Sequence, residues 1–262
     1  MWKPNELKRK LAEGEKVWGL FCSIPTPLHV EMIACAGYDF VIVDTEHASV
    51  NPETLENMIR AAEARDLPAL VRVPNPSAGP ILRALDAGAR GVVVPHVRCR
   101  RDAEAALQAA RYFPEGMRSL NGGRVPGFGR LDLEEYLRPA NREVMVVPMI
   151  EDREGVDRID EILSVDGVDM VLEGAADLSQ SLGIPWQTRH PGVKQALERI
   201  REAADRHGVP FCALPRAKQD LQEWENRGVR AFVLGEERGL AFRALRSHLE
   251  RMKEQTVKEG RA

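Results

Sequence analysis

The chain has 262 residues, of which 44% are hydrophobic, 29% charged and 5% aromatic, a composition that suits a folded globular protein and excludes a disordered or fibrous one. Its formal net charge of −3 argues against nucleic-acid binding, which needs a basic face to displace counterions from phosphates. No apolar run approaches the roughly 20 residues that span a bilayer, and the scattered Cys22, Cys35, Cys99 and Cys212 form no CxxC pair and follow no secretory leader. The expectation is a soluble cytoplasmic protein with reduced thiols, no nucleic-acid partner and no membrane contact.

Eight short apolar runs recur along the chain, at residues 17–23, 40–46, 68–74, 91–97, 144–152, 170–174, 210–215 and 231–237. Each is nearly continuous Val, Ile and Leu rather than an alternation of apolar and polar residues, which is how strands covered on both faces of a parallel sheet read. Helical patterns lie between them. Residues 51–65 begin with Asn51 as the N-cap and Pro52 at the first helical position, and residues 191–208 end on Gly208, the usual left-handed C-terminal residue. The basic run at residues 97–102 reads as a solvated helix start. Eight strand–helix alternations in a chain near the roughly 250 residues usual for the fold predict an α/β protein, a (β/α)8 barrel, in one domain over residues 1–262. A doubly wound open sheet is the alternative. The segment 114–132, rich in Gly, Pro and Arg, is longer than a connection requires and reads as either mobile or functional. The polar C-terminal segment from Arg251 is expected to fray at its end.

Barrel enzymes build their sites at the C-terminal ends of the strands, so the polar residues there carry the functional question. They are Asp44, Glu46 and His47 after the second strand, Arg72 in the third and His96 at the end of the fourth. Glu151 and Asp152 follow the fifth, Glu173 and Asp177 the sixth, and Glu236 and Glu237 the eighth. Glu151 and Asp177 follow neighbouring strands at comparable distances. Two hard oxygen ligands aimed at one point suit Mg2+ or Mn2+, whereas each acid taken alone reads equally as a helix cap favoured by exposed amides. Arg72 interrupts an otherwise apolar strand, where an unpaired charge costs several kcal/mol. It must face either a structural acid or an anionic ligand. His47 beside acids is placed for proton transfer near neutrality, while a histidine after a strand is also an ordinary loop residue. His96 has no acid beside it in sequence. Trp186 reads as a pocket wall or as packing under a loop, and the glycines of "LNGGRVPGFG" match neither phosphate-binding pattern.

Taken in order, "DTEHAS", "LVRVP", "ALDAGARGVVVPHV", "PMIED" and "DGVDMVLEGAADLSQSLG" resemble the HpcH/HpaI aldolase family of divalent-metal-dependent 2-oxo acid aldolases. The resemblance implies a barrel whose last helix is exchanged between protomers of a homo-oligomer, from dimer to hexamer. It implies Glu151 and Asp177 as ligands of Mg2+ or Mn2+, and Arg72 as the residue that holds the 2-oxo acid and its enolate. His47 matches the proton carrier, oriented by Asp44 or by Asp86, the latter acting from a neighbouring subunit. Gly174, Ala175 and Ala176 would lie along the bound oxo acid, with Asp177 closing that stretch. The implied reactants are a small 2-oxo acid, pyruvate or oxaloacetate, and an aldehyde. Four features depart from the family pattern: Ala175 where proline is usual, Glu173 where an apolar residue is common, Met149 in place of a frequent glutamine, and the 114–132 segment. These departures are similar to the branch that makes citrate for siderophores from oxaloacetate and acetyl-CoA. A barrel kept only for ligand binding is the non-enzymatic alternative.

Overall fold

The computed structural model describes residues 3–259. Each apolar run forms a strand: β1 (Val17–Cys22), β2 (Phe40–Asp44), β3 (Ala69–Arg72), β4 (Gly91–Val94), β5 (Met145–Ile150), β6 (Val171–Glu173), β7 (Phe211–Ala213) and β8 (Ala231–Glu236). Neighbours pair in parallel in chain order, and β8 pairs back onto β1, so the sheet closes into a barrel. Closure excludes the open-sheet alternative. It also removes the free strand edges that such a sheet would present.

Helices return the chain between strands. They are α1 (Glu6–Ala12), α2 (Pro27–Cys35), α3 (Pro52–Ala64), α4 (Ala78–Asp86), α5 (Arg100–Ala110), α6 (Leu133–Glu143), α7 (Arg153–Asp157), α8 (Ile159–Leu163), α9 (Ala175–Ser181), α10 (Pro191–His207), α11 (Lys218–Asn226) and α12 (Glu237–Glu259). Asn51 caps α3 by accepting the Thr54 amide at 2.8 Å, and Gly208 ends α10 in the left-handed conformation with φ 65°. The basic run ends in α5, whose Asp102 carboxylate accepts the amides of Arg98 and Cys99. The four cysteines are free, with Cys22 and Cys212 buried. No helix among the described residues is long and apolar enough to cross a membrane.

The strands divide their side chains by parity, as a pleated sheet must. Val41, Val43, Val71, Val92, Val94, Val146 and Ile150 point outward into a shell packed under the helices. Phe40, Ile42, Leu70, Val93, Met145, Val147, Met149 and Leu172 point inward and fill the barrel. Each such side chain, taken fully out of water, contributes roughly 1.5–3 kcal/mol relative to an exposed one. Gly19 is required at the floor, because a Cβ there would overlap the Phe40 ring. Continuing the inward parity along each strand reaches Asp44, Arg72, Glu151 and Gly174. The last inward layer is therefore polar.

α12 differs from the other helices. Its substantial packing is against β1 and β8, at its start, and it carries an exposed stripe of Phe242, Leu245, Leu249 and Met252 spaced three and four residues apart. The predicted fraying falls on residues 260–262, which lie outside the described residues.

Candidate active site

Arg72 and Asp44 meet at the top of β3 and β2, whose register places them directly opposite each other. Arg72 Nε donates to Asp44 Oδ1 at 2.9 Å and Nη2 to Oδ2 at 2.7 Å, a bidentate pair in which both residues are buried. Asp44 also accepts the backbone amides of Glu46 at 3.0 Å and His47 at 3.3 Å, and the Ser23 hydroxyl at 3.4 Å. Burial by itself raises the Asp44 pKa. The Arg72 bonds and the two amides outweigh it, so the carboxyl titrates below its ordinary range. Burial likewise opposes the charge on Arg72, and Asp44, with Glu46 and Glu151 adding attraction, outweighs it and raises the guanidinium pKa. The guanidinium carbon stands 4.7 Å from the centroid of the Phe21 ring, a cation–π contact that fixes its plane.

Glu46, which the sequence left without a role, is the bridge of the cluster. Its Oε2 lies 3.2 Å from Arg72 Nη1 and 3.8 Å from His47 Nε2, and its Oε1 lies 3.7 Å from His96 Nε2. Oε2 is buried without an aligned hydrogen bond, so the Arg72 contact is an ion pair in distance but not in direction. The expectation that Asp44 orients the His47 imidazole is corrected here: both Asp44 oxygens are committed to Arg72, and Asp44 reaches His47 only through its backbone amide. Within this chain the acid beside the imidazole is Glu46. The His47 side chain is 58% exposed, open to a reactant entering the barrel mouth.

Glu151 is 1% exposed and accepts the His96 backbone amide at 2.9 Å through Oε1, with His96 Nδ1 3.6 Å from the same oxygen. His96 adopts φ 53°, outside the regions a non-glycine residue prefers, and this turn aims its amide at Glu151. Burial pushes the Glu151 pKa up; the His96 amide and charge oppose the rise, and Glu46 and Asp177 add to it, leaving the group at about 7. The helix-cap reading fails for Glu151, since its carboxylate bonds another loop. Asp152 spends its carboxylate on His96 Nδ1 at 3.1 Å and Arg98 Nε at 2.9 Å rather than on a cap. Asp177 sits in the first turn of α9, where an acid is also favoured by the helix dipole.

Gly174 begins this turn for a steric reason. A Cβ at that position would stand 2.5 Å from Glu151 Cβ and 2.6 Å from Glu151 Oε2, so only glycine leaves the carboxylate its place. Glu173, by contrast, has outward parity and serves as a strut. It is fully enclosed, and its carboxylate accepts the Ala175 amide at 3.0 Å and the Leu214 amide at 2.9 Å, tying the β6–α9 turn to the segment after β7. Burial raises its pKa.

A cavity of about 470 Å3 opens over this layer, lined by Asp44, His47, Arg72, Met149, Gly174, Ala176, Asp177, Trp186, Arg216, Glu236 and Arg238, among others. Larger cavities of about 750 and 610 Å3 lie elsewhere, but neither collects the mouth's carboxylates around Arg72. Trp186 walls the mouth cavity at 83% exposure with φ 63°, so it is not packed under a loop. Asp86 stands apart, at the end of α4, bonded to Arg118 at 2.7 Å and Asn121 at 3.2 Å beside the 610 Å3 cavity. One chain does not bring it to Arg72. The 114–132 segment lies on that side as well, with Arg124 paired to Glu63. Sequence reasoning missed Arg216, which follows β7 and lines the same cavity. It also missed Glu237 as a structural acceptor. Glu237 takes the Ser23 and Ile24 amides and joins the β8–α12 junction to the end of β1.

The HpcH/HpaI aldolase/citrate lyase profile matches residues 18–244. The chain belongs to this family. It is an enzyme of the carbon–carbon lyase class, as the aldolases among its relatives are. The pyruvate aldolase of Rhizobium etli is 38% identical over 195 residues, 74% of this chain and 76% of its own. The 5-keto-4-deoxy-D-glucarate aldolase of Shigella boydii is 30% identical over 238 residues, 90% of this chain and 92% of its own. Among solved structures, citrate synthase SbnG is 47% identical with a TM-score of 0.88, covering 95% of this chain and 98% of that one.

Proposed function

We propose that this chain is a divalent-metal-dependent lyase that makes or breaks a carbon–carbon bond next to a 2-oxo acid, through its enolate. The observation that carries the reading is the pairing of Glu151 and Asp177 at one mouth beside Arg72, over a glycine cradle that a Cβ would fill. No group of three or more His, Cys, Asp or Glu forms a metal cage among the described residues. Two carboxylates with room for water and substrate oxygens fit Mg2+ or Mn2+, which keep several non-protein ligands. A divalent ion held by Glu151 and Asp177 would polarise the 2-oxo group of the substrate and offset the charge that builds on its oxygen.

The chain's own residues supply the rest. Arg72, locked by Asp44 and Phe21, presents a preorganised cation to the developing enolate oxygen, at no reorganisation cost during reaction. The Gly174–Ala176 backbone, at the cavity wall, would lie along the oxo acid. In cleavage, His47 Nε2 accepts the proton of the hydroxyl beside the breaking bond while the bond's electrons pass into the 2-oxo group; a proton returned to the enolate carbon then leaves pyruvate and an aldehyde. Asp86 reaches this machinery only from a second copy. The exposed apolar stripe of α12 and its sparse packing on its own barrel support a homo-oligomer built by exchanging that helix. Chelation should abolish pyruvate release and Glu151→Ala should behave like the chelated enzyme; full activity without metal would sink the reading.

Condensation of oxaloacetate with acetyl-CoA is the second reading, and the 47% identity to citrate synthase SbnG, above that of the aldolases, favours weighing it. The two separate in an assay for free thiol. Release of CoA from oxaloacetate and acetyl-CoA selects the condensation, and its absence removes it.

A further inference from the structure

The charges that line the mouth cavity balance with two exceptions. Asp44 is matched by Arg72, and Glu236 by Arg238 at 2.6 Å. Asp177 and Arg216 have no side-chain hydrogen bond or ion pair among the described residues, although both line the same cavity. Asp177 is assigned above to a cation. Arg216 lines this cavity and also a second one of about 270 Å3 that it shares with Glu173 and Asp220; the charge that acts on it most evidently is the buried Glu173, which spends its oxygens on two amides. That strut fixes the segment carrying Leu214, two residues before Arg216, to the turn carrying Ala175 and Ala176. The spacing between Arg216 and the oxo acid cradle is therefore set by a buried group rather than by a free loop.

We propose that Arg216 is a specificity-determining residue that binds a second carboxylate, distal to the one beside the 2-oxo group. The inference rests on the 2-oxo acid reading of the cavity. It selects substrates anionic at both ends, for which the planar guanidinium fork is suited to bidentate binding. The carboxylate comes either from the aldehyde partner or from the far end of the 2-oxo acid itself, and two arms of one experiment separate these sources. The first arm measures kcat/KM for addition of pyruvate to succinic semialdehyde and to uncharged butanal. The second measures kcat/KM for oxaloacetate decarboxylation and for proton exchange in 2-oxobutanoate. In Arg216→Ala the ratio of carboxylated to uncharged substrate should fall about tenfold in one arm, and Arg216→Glu should lower it further, with Arg216→Lys between wild type and alanine; the arm that moves names the source. Ratios within twofold of wild type in both arms overturn the proposal. Exchange of the pyruvate methyl protons with D2O by the Mn2+-loaded wild type is followed alongside. Its absence overturns the 2-oxo acid reading and the proposal with it, whereas exchange with unmoved ratios overturns the Arg216 assignment alone.

Discussion

The floor and the mouth of the barrel are built from the same strands and the same inward-facing parity, and they differ in one layer. Phe40 and Ile42 lead along β2 to Asp44, Leu70 leads along β3 to Arg72, and Met145, Val147 and Met149 lead along β5 to Glu151. At the floor, dense apolar packing holds the structure together. At the mouth, buried acids are held near one another, and the Glu151 pKa is driven upward by burial and by the charges of Glu46 and Asp177. The difference teaches that the mouth is arranged against its own stability, as sites that bind or react commonly are.

Substitutions at the two ends should therefore fail in different ways. The largest effect is expected for Glu151→Ala, with kcat reduced by about 1000-fold or more, equivalent to ~4 kcal/mol, while the melting temperature of the metal-free protein holds or rises. A drop in both would show that Glu151 is structural. Next, Phe40→Ala at the floor should cost about 3–5 kcal/mol of stability in denaturant titration, the range for emptying a buried aromatic site. Its kcat/KM at temperatures well below melting should stay within a few fold of wild type. If activity collapsed while stability held, the separation of floor from mouth would be broken.

Arg72→Lys tests the fork at the mouth. It keeps the charge but loses the two-point bond to Asp44, and kcat should fall about 100-fold, with KM for the oxo acid rising much less. The smallest expected effect is in pH. Burial lifts the Glu151 pKa from its ordinary 4.5 to about 7, so the protonated carboxyl favours the fold. In the metal-free protein this contribution is full below about 4.5 and is lost as pH rises through about 7. A metal needs the carboxylate, so affinity should weaken by up to about tenfold per pH unit on going below 7. Calorimetric titration of Mn2+ at pH 6 and 8 checks this, and equal affinity at both would remove Glu151 from the ligand set.

The lines between legible and illegible follow the same division of floor and mouth. The eight strands could be read because a strand covered on both faces must be apolar at every position, which leaves runs such as residues 40–43 and 91–94 visible without context. Every run reads longer than its strand, by three residues at β3, β4, β5 and β7, because the sequence pattern does not mark the last ladder position. The helix caps at Asn51 and Gly208 are local and were equally plain. Glu46 could not be assigned because its partners Arg72 and His96 lie far along the chain, and neither distance nor direction is encoded in their spacing.

The sequence by itself determined which residues were buried on both sides and where the chain turned, and with them the barrel, because these depend on local composition and period. It also offered the acids, the arginine and the histidine as candidates. Only the tertiary structure decided which charge meets which. Closing the sheet sets Asp44 opposite Arg72, bends His96 to cap Glu151, turns Glu173 outward as a strut and brings Asp177 and Arg216 to one mouth with no ion pair to either among the described residues. Electrostatic energy depends on distance through space, and strand register, parity and closure fix that distance.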